Sequence, residues 1–172
     1  MSKNYCPEQQ GSLDALCGVY AALNSIGLMT DRIDLSQLFT YIVDKLDCRL
    51  SVVIIHGLDT RELRKWVLKR CAAFCAKHQI EVTYSQCAKD LPLADHWRMM
   101  QQHHRLHGAG SIVLGLSGSY NHWVCVKSIT EKTLIFVDTP PSRVYRRHVG
   151  KTDNSIQIRS KDTFLLRISS MI

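Results

Sequence analysis

"SIVLGLSGSYNHWVCVKSITEKTLIFVD" runs from Ser111 to Asp138. Three apolar runs rich in β-branched residues lie in it: Ser111 to Leu116, His122 to Ile129, and Thr133 to Asp138. Such composition favours strands. "GSYN" (Gly118 to Asn121) separates the first two, and Glu131 with Lys132 sits in the turn before the third. Connections this short make antiparallel hairpins. "TFLLRIS" (Thr163 to Ser169) reads as a further strand, and Ile80 to Tyr84 as a short one.

Upstream, the period changes. A helix fits Leu16 to Ile26, with Ser12 and Asp14 able to cap it and Gly27 to close it. A second fits Leu35 to Leu46 after Asp34. The clearest runs from Thr60 to His78, where Leu63, Trp66, Val67, Cys71, Phe74 and Cys75 form one apolar stripe. Asp59 or Thr60 can cap it, and Glu62 lies in its first turn. Another helix fits Leu93 to Leu106, where Trp97, Met99 and Met100 pack or line a groove. "SVVII" (Ser51 to Ile55) fits either period and stays open. Helices first and an antiparallel sheet second argue for α+β. The chain of 172 residues is expected to be a single domain, residues 1–172, with a helical part at about 12–108 and a sheet part at about 109–172.

Composition narrows the class. The chain is 45% hydrophobic and 22% charged, the profile of a globular protein with a real core. No apolar stretch has the length of a membrane span, and "MSKNYCPEQQ" lacks the apolar region of a secretory signal. Seven cysteines, an odd number without a signal sequence, read as mostly reduced thiols in a cytoplasmic setting. The net charge of +7 permits an acidic partner without identifying one. The basic run Arg143 to Lys151 carries no nucleic-acid motif, so a solvated edge strand or loop is expected there. His103 and His107 stand four apart, a spacing that suits a metal, yet no third ligand accompanies them. No metal site is expected. Cys71 and Cys75 belong to the apolar stripe and read as core.

One cysteine stands apart. In "PEQQGSLDALCGVYAALN" (Pro7 to Asn24), Cys17 falls in the first turn of a predicted helix. A helix N-terminus favours a negative sulfur. A thiol nucleophile also needs a base, a group that orients the base, and an oxyanion hole. His122 heads a strand after a glycine-containing turn, and alternation sets it with Val124 and Val126, opposite Trp123 and Cys125. Asp138 ends the next strand before "TPP", where a hairpin returns it toward His122 to fix the imidazole tautomer. Gln10 or Gln9 can donate an amide to the oxyanion, beside the backbone N–H of Cys17. Gly18 leaves room beside the thiol, and Tyr120 and Trp123 flank the base as candidate walls of a substrate cleft. Each residue alone has a plainer reading: a buried thiol, a core histidine, a turn cap, a surface glutamine, hairpin packing. Their order and placement together outweigh those readings.

"QQGSLDALCGVYAALN", "NHWVCV" and "FVDTPP" together resemble a papain-like cysteine peptidase. Within that clan the chain is most similar to double-glycine leader peptidases of bacterial bacteriocin-exporting transporters and to related bacterial toxin peptidases. The resemblance implies a papain-like fold, with the nucleophile on a helical part packed against an antiparallel sheet. It implies Cys17 as nucleophile, His122 as general base and acid, Asp138 as orienter, and Gln10 (or Gln9) as oxyanion donor. Gln10 lies seven residues before Cys17, one more than the family's usual spacing. The implied reaction is endopeptidase cleavage of a protein substrate through a thioester, at glycine-containing sites, with no cofactor. A toxin or effector acting in the cytosol, delivered by a secretion system and matched by an immunity protein, also follows from the resemblance. A monomer is expected. The same residue order serves protein deamidases, transglutaminase-like transferases and cell-wall amidases. The alternative of another class is an inactive binding module that keeps the fold.

Overall fold

The computed structural model describes residues 15–46, 49–106, 110–118, 121–137, 144–146 and 156–171. Its first helix, α1 (Cys17–Met29), has eleven of thirteen residues buried. A helix enclosed on all sides carries no polar face, which is the composition of "CGVYAALNSIGLM". Gly27 is therefore a buried residue inside α1, not its end. The helix continues to Met29, and the N–H of Thr30 closes it on Ile26 O.

Helix α2 (Leu35–Asp44) starts at Asp34, whose carboxylate accepts the N–H groups of Ser36 and Gln37 at 2.9 and 3.2 Å. "SVVII" belongs to a helix, α3 (Leu50–His56). Val53 is buried in it while Val52 and Ile55 face solvent. It stops at Gly57, whose φ of +76° suits glycine. The long expected helix forms as one rod in three windings: α4 (Thr60–Glu62), a π-wound segment (Leu63–Leu68), and α5 (Lys69–Lys77). Asp59 and Glu62 make a reciprocal capping box at its start. Helix α6 (Leu93–Leu106) has the bounds that its sequence pattern predicts.

Six strands form one sheet: β1 (Ile80–Gln86), β2 (Gly110–Gly118), β3 (His122–Ile129), β4 (Thr133–Phe136), β5 (Val144–Arg146) and β6 (Ile156–Met171). Their order is β1-β6-β2-β3-β4-β5, and every pairing is antiparallel. The fold is thus α+β. The sharp division at about residue 108 is corrected, because β1 lies within the helical part of the sequence and pairs with β6. β6 also begins well before Thr163. Its polar first half hid it, yet that half pairs with the end of β2. Three residues of the basic run, Val144 to Arg146, form β5 at an edge of the sheet. The rest of that run lies outside the described residues.

Two apolar layers sandwich the sheet. On one face α1, α2, α3 and the α4–α5 rod pack against Val113, Trp123, Phe164 and Leu166. On the other, Trp97 and Met100 of α6 meet Ile112, Leu114, Leu116, Val124, Val126, Leu134 and Phe136. The molecule therefore has three layers, not a helical part on one side of a sheet. His103 is buried and bonds Leu166 O through Nε2 at 2.8 Å, and His107 lies outside the described residues. Among the described residues no three His, Cys, Asp or Glu side chains group to hold a metal, and no helix is long and apolar enough to cross a membrane.

Between Leu114 and Leu116 the β2–β6 register moves from Thr163 to Ile158. Residues 159–162 consequently bulge out opposite Gly115 alone.

Candidate functional site

Cys17 is the first residue of α1. Leu16 occupies the N-cap with no side-chain cap bond, and the first turn holds no acidic residue. Ser12 and Asp14, the expected caps, lie outside the described residues. The N–H groups of Val19 and Tyr20 turn back to Leu16 O at 2.8 and 3.0 Å. Just upstream, Ala15 N–H donates to Ile54 O at 2.9 Å, so α3 fixes the approach to the helix.

Among the described residues the Cys17 sulfur has two near polar neighbours: Ala15 O at 3.9 Å and the backbone nitrogen of Trp123 at 3.5 Å. That nitrogen belongs to the peptide bond joining His122 to Trp123. The fold thus brings the thiol to the backbone of the strand start carrying the expected base, 106 residues away in sequence. Further along α1, Ser25 Oγ donates to Cys125 Sγ at 3.2 Å. The helix and β3 therefore run the same way, with Cys17 at the end where β3 begins.

His122 is the first residue of β3, half-buried and paired with Leu116. Leu116 and Val124 belong to the α6 side of the sheet, whereas Trp123 faces α1. Strand alternation accordingly starts His122 on the face away from α1. His122 is the first paired residue of β3, while β2 runs two residues further, pairing Ser117 and Gly118 with β6.

Trp123 does not wall an open cleft. Its indole is buried, donating from Nε1 to Leu58 O at 2.7 Å and lying 6.1 Å from the Phe164 ring. Gly18 also has a different use from the one expected. A Cβ there would lie 3.0 Å from Leu63 Cδ1, 3.2 Å from Leu58 Cδ1 and 3.3 Å from Trp123 Cδ1. The missing side chain admits the rod and the indole to the base of α1; it does not open an approach for substrate.

Asp138, Gln9, Gln10 and Tyr120 lie outside the described residues. The hairpin leading to Asp138 is formed: β4 pairs with β3 through Val126 and Phe136, and Val137 N–H donates to Cys125 O at 2.9 Å. Thr130 and Thr133 close its turn.

The other described thiols differ from Cys17 in surroundings. Cys71 and Cys75 lie inside the helical core, and burial pushes both thiols up, Cys75 to about 11. Cys125 is enclosed between α1 and the sheet, where Ser25 and Ser111 meet its sulfur. Cys87 is partly exposed, its sulfur 3.1 Å from Lys89 O.

No family model matches the chain, and no curated protein matches it.

Sequence reasoning selects side chains, and so it passed over two main-chain groups here. One is the Trp123 N–H at the sulfur; the other is Leu58 O, which holds the indole. Leu58 precedes a recognisable cap, Asp59, but nothing in its side chain signals that its carbonyl serves Trp123.

Proposed function

We propose that the protein is a cysteine endopeptidase of papain-like arrangement, with Cys17 as nucleophile and His122 as the base. The observation that carries this reading is the Cys17 sulfur resting 3.5 Å from the nitrogen of the His122–Trp123 peptide. Among the described residues no carboxylate caps α1, and the positive end of the helix lies at its first residue, Cys17, a setting suited to a nucleophilic sulfur. The Trp123 N–H adds a donor to the same sulfur. Alternation starts the imidazole on the α6 side, so in this reading it turns round the start of β3 to meet the thiol. Asp138 is assigned to orient the imidazole and Gln10 or Gln9 to the oxyanion.

The cycle then has two halves. The Cys17 thiolate attacks a substrate carbonyl, and the oxyanion takes N–H donors. The His122 imidazolium gives its proton to the leaving amine, which departs with the new N-terminus. Water, deprotonated by His122, opens the thioester and restores the thiol. The substrate is a protein, and no cofactor enters the steps.

Competitive alkylation tests the site. Cys17 should react with iodoacetamide near neutral pH faster than Cys87, and much faster than Cys71, Cys75 and Cys125. His122→Ala should slow Cys17 by about 100-fold, the usual scale for a lost general base. Equal labelling of Cys17 and Cys87 would sink the nucleophile assignment. Mass analysis of protein substrates separates the chemistries: new termini mean peptidase, a one-dalton gain deamidase, and cross-links transferase.

A further inference from the structure

The bulge at residues 159–162 is secured at each of its four positions. Arg159 O accepts the Thr163 hydroxyl at 3.0 Å. Ser160 Oγ donates to Lys89 O at 2.8 Å and accepts Leu91 N–H at 2.7 Å. Lys161 O accepts Gln86 Nε2 at 2.6 Å. Asp162 Oδ1 accepts the Thr60 hydroxyl at 2.6 Å, across 102 residues. Thr163, at the bulge's root, is itself held by His96 Nε2 at 2.9 Å. Since the Thr163 hydroxyl donates its one hydrogen to Arg159 O, His96 Nε2 is the donor in that pair. Bulges re-aim a side chain, and here the re-aimed side chain is Asp162.

What Asp162 meets leads back to the thiol. A Cβ on Gly115 would lie 2.9 Å from Asp162 Cβ and 3.0 Å from Trp123 Cζ3, so both press on the same glycine. Thr60 follows Leu58 by two residues, and Leu58 O takes the Trp123 indole N–H. The segment from Leu58 to Thr60 is therefore tied at both ends, to the indole by one bond and to the bulge by the other. The same Trp123 presents its backbone N–H to Cys17.

We propose that Asp162 is a positioning residue for Cys17, acting through Thr60, Leu58 and the clamped indole of Trp123. This rests on the reading of Cys17 as nucleophile. The bulge sets the place of the Trp123 ring, the ring sets the place of its peptide N–H, and that N–H steadies the negative sulfur.

The experiment alkylates the full chain with iodoacetamide across pH, reading each thiol by peptide mass spectrometry. Asp162→Ala should slow Cys17 by about tenfold, the scale of one hydrogen bond to a charged group. Cys87 should keep its rate, and Cys71 and Cys75 should stay protected. Asp162→Asn keeps an oxygen for the Thr60 hydroxyl and should restore the rate to within about twofold. Thr60→Val should reproduce the loss. An unchanged Cys17 rate in Asp162→Ala would overturn the proposal, as would equal slowing in Asp162→Asn. So would Cys71 and Cys75 becoming reactive in step, which would mean general loosening. A second readout works without a reactive thiol. In a Cys17→Ala background, the Trp123 backbone and indole N–H resonances should move with Asp162→Ala and stay with Asp162→Asn. Unmoved resonances also overturn the proposal. Wild-type Cys17 reacting no faster than Cys87 counts against the peptidase reading alone, and the Trp123 resonances then decide the clamp.

Discussion

Two helix starts in this molecule are built in opposite ways. At Thr60 the rod begins with a full capping box, Asp59 Oδ1 taking Glu62 N–H at 2.7 Å and Glu62 Oε2 taking Asp59 N–H at 3.0 Å. At Cys17, α1 begins behind a leucine with no side-chain cap. A carboxylate cap neutralises the positive end of a helix and satisfies its free N–H groups, and losing one costs about 1 kcal/mol. The rod is finished for stability. Among the described residues α1 has no such cap, and its first residue is a cysteine. The tertiary structure compensates, with eleven buried residues in α1 and a backbone bond from Ala15 to Ile54. The difference teaches that packing and a backbone bond can hold a helix start where, at the rod, polar side chains do so.

Three substitutions press on that contrast, beginning with the largest effect. Cys17→Ala should abolish substrate cleavage, a loss of about a thousandfold or more in rate, while leaving the melting temperature nearly unchanged. Cleavage assays and thermal melts read the two together, and retained cleavage would remove any chemical meaning from the start of α1. Gly18→Ala should destabilise next. Overpacking against Leu58, Leu63 and Trp123 costs about 1–3 kcal/mol, and the better helix propensity of alanine returns about 1. Chemical denaturation should show the net loss, and Cys17 alkylation should slow because the Trp123 edge is displaced. Asp59→Ala should have the smallest effect, about 1 kcal/mol or a few degrees in melting temperature. Cys17 reactivity should be untouched. If Asp59→Ala slows Cys17 as much as it lowers stability, the two starts are not separate in purpose.

Much of this was legible in the sequence, for identifiable reasons. β3 and α6 were bounded by turn residues and had clear periods, and both formed with the expected limits. Asp34 and Asp59 capped where short polar residues before an apolar stripe predicted caps. Gly27 misled because α1 continues through it to Met29, and a glycine inside a buried helix looks, in sequence, like a glycine at a helix end. "SVVII" became helical because β-propensity expresses cross-strand packing, and among the described residues no strand pairs with it. The first half of β6 was hidden by its polar residues, four of which stand in the bulge. In the site, residue type singled out Cys17 and His122, and the fold brings their elements together. The third layer, the Trp123 N–H and the pairing of Thr60 with Asp162 depend on long-range geometry that no local pattern encodes.

The strand order has a consequence for how the protein is made. Among the described residues β1 lies at the sheet's edge with β6 as its one strand partner, and β6 starts at Ile156, far later in synthesis. An emerging chain therefore holds α1 and its thiol long before the bulge, the Thr60 tie and the strand between β1 and β2 exist. Until then β1 is an open edge, the kind of surface that chaperones cover and that pairs wrongly at high concentration. The sulfur is synthesised early, and the frame around it closes late.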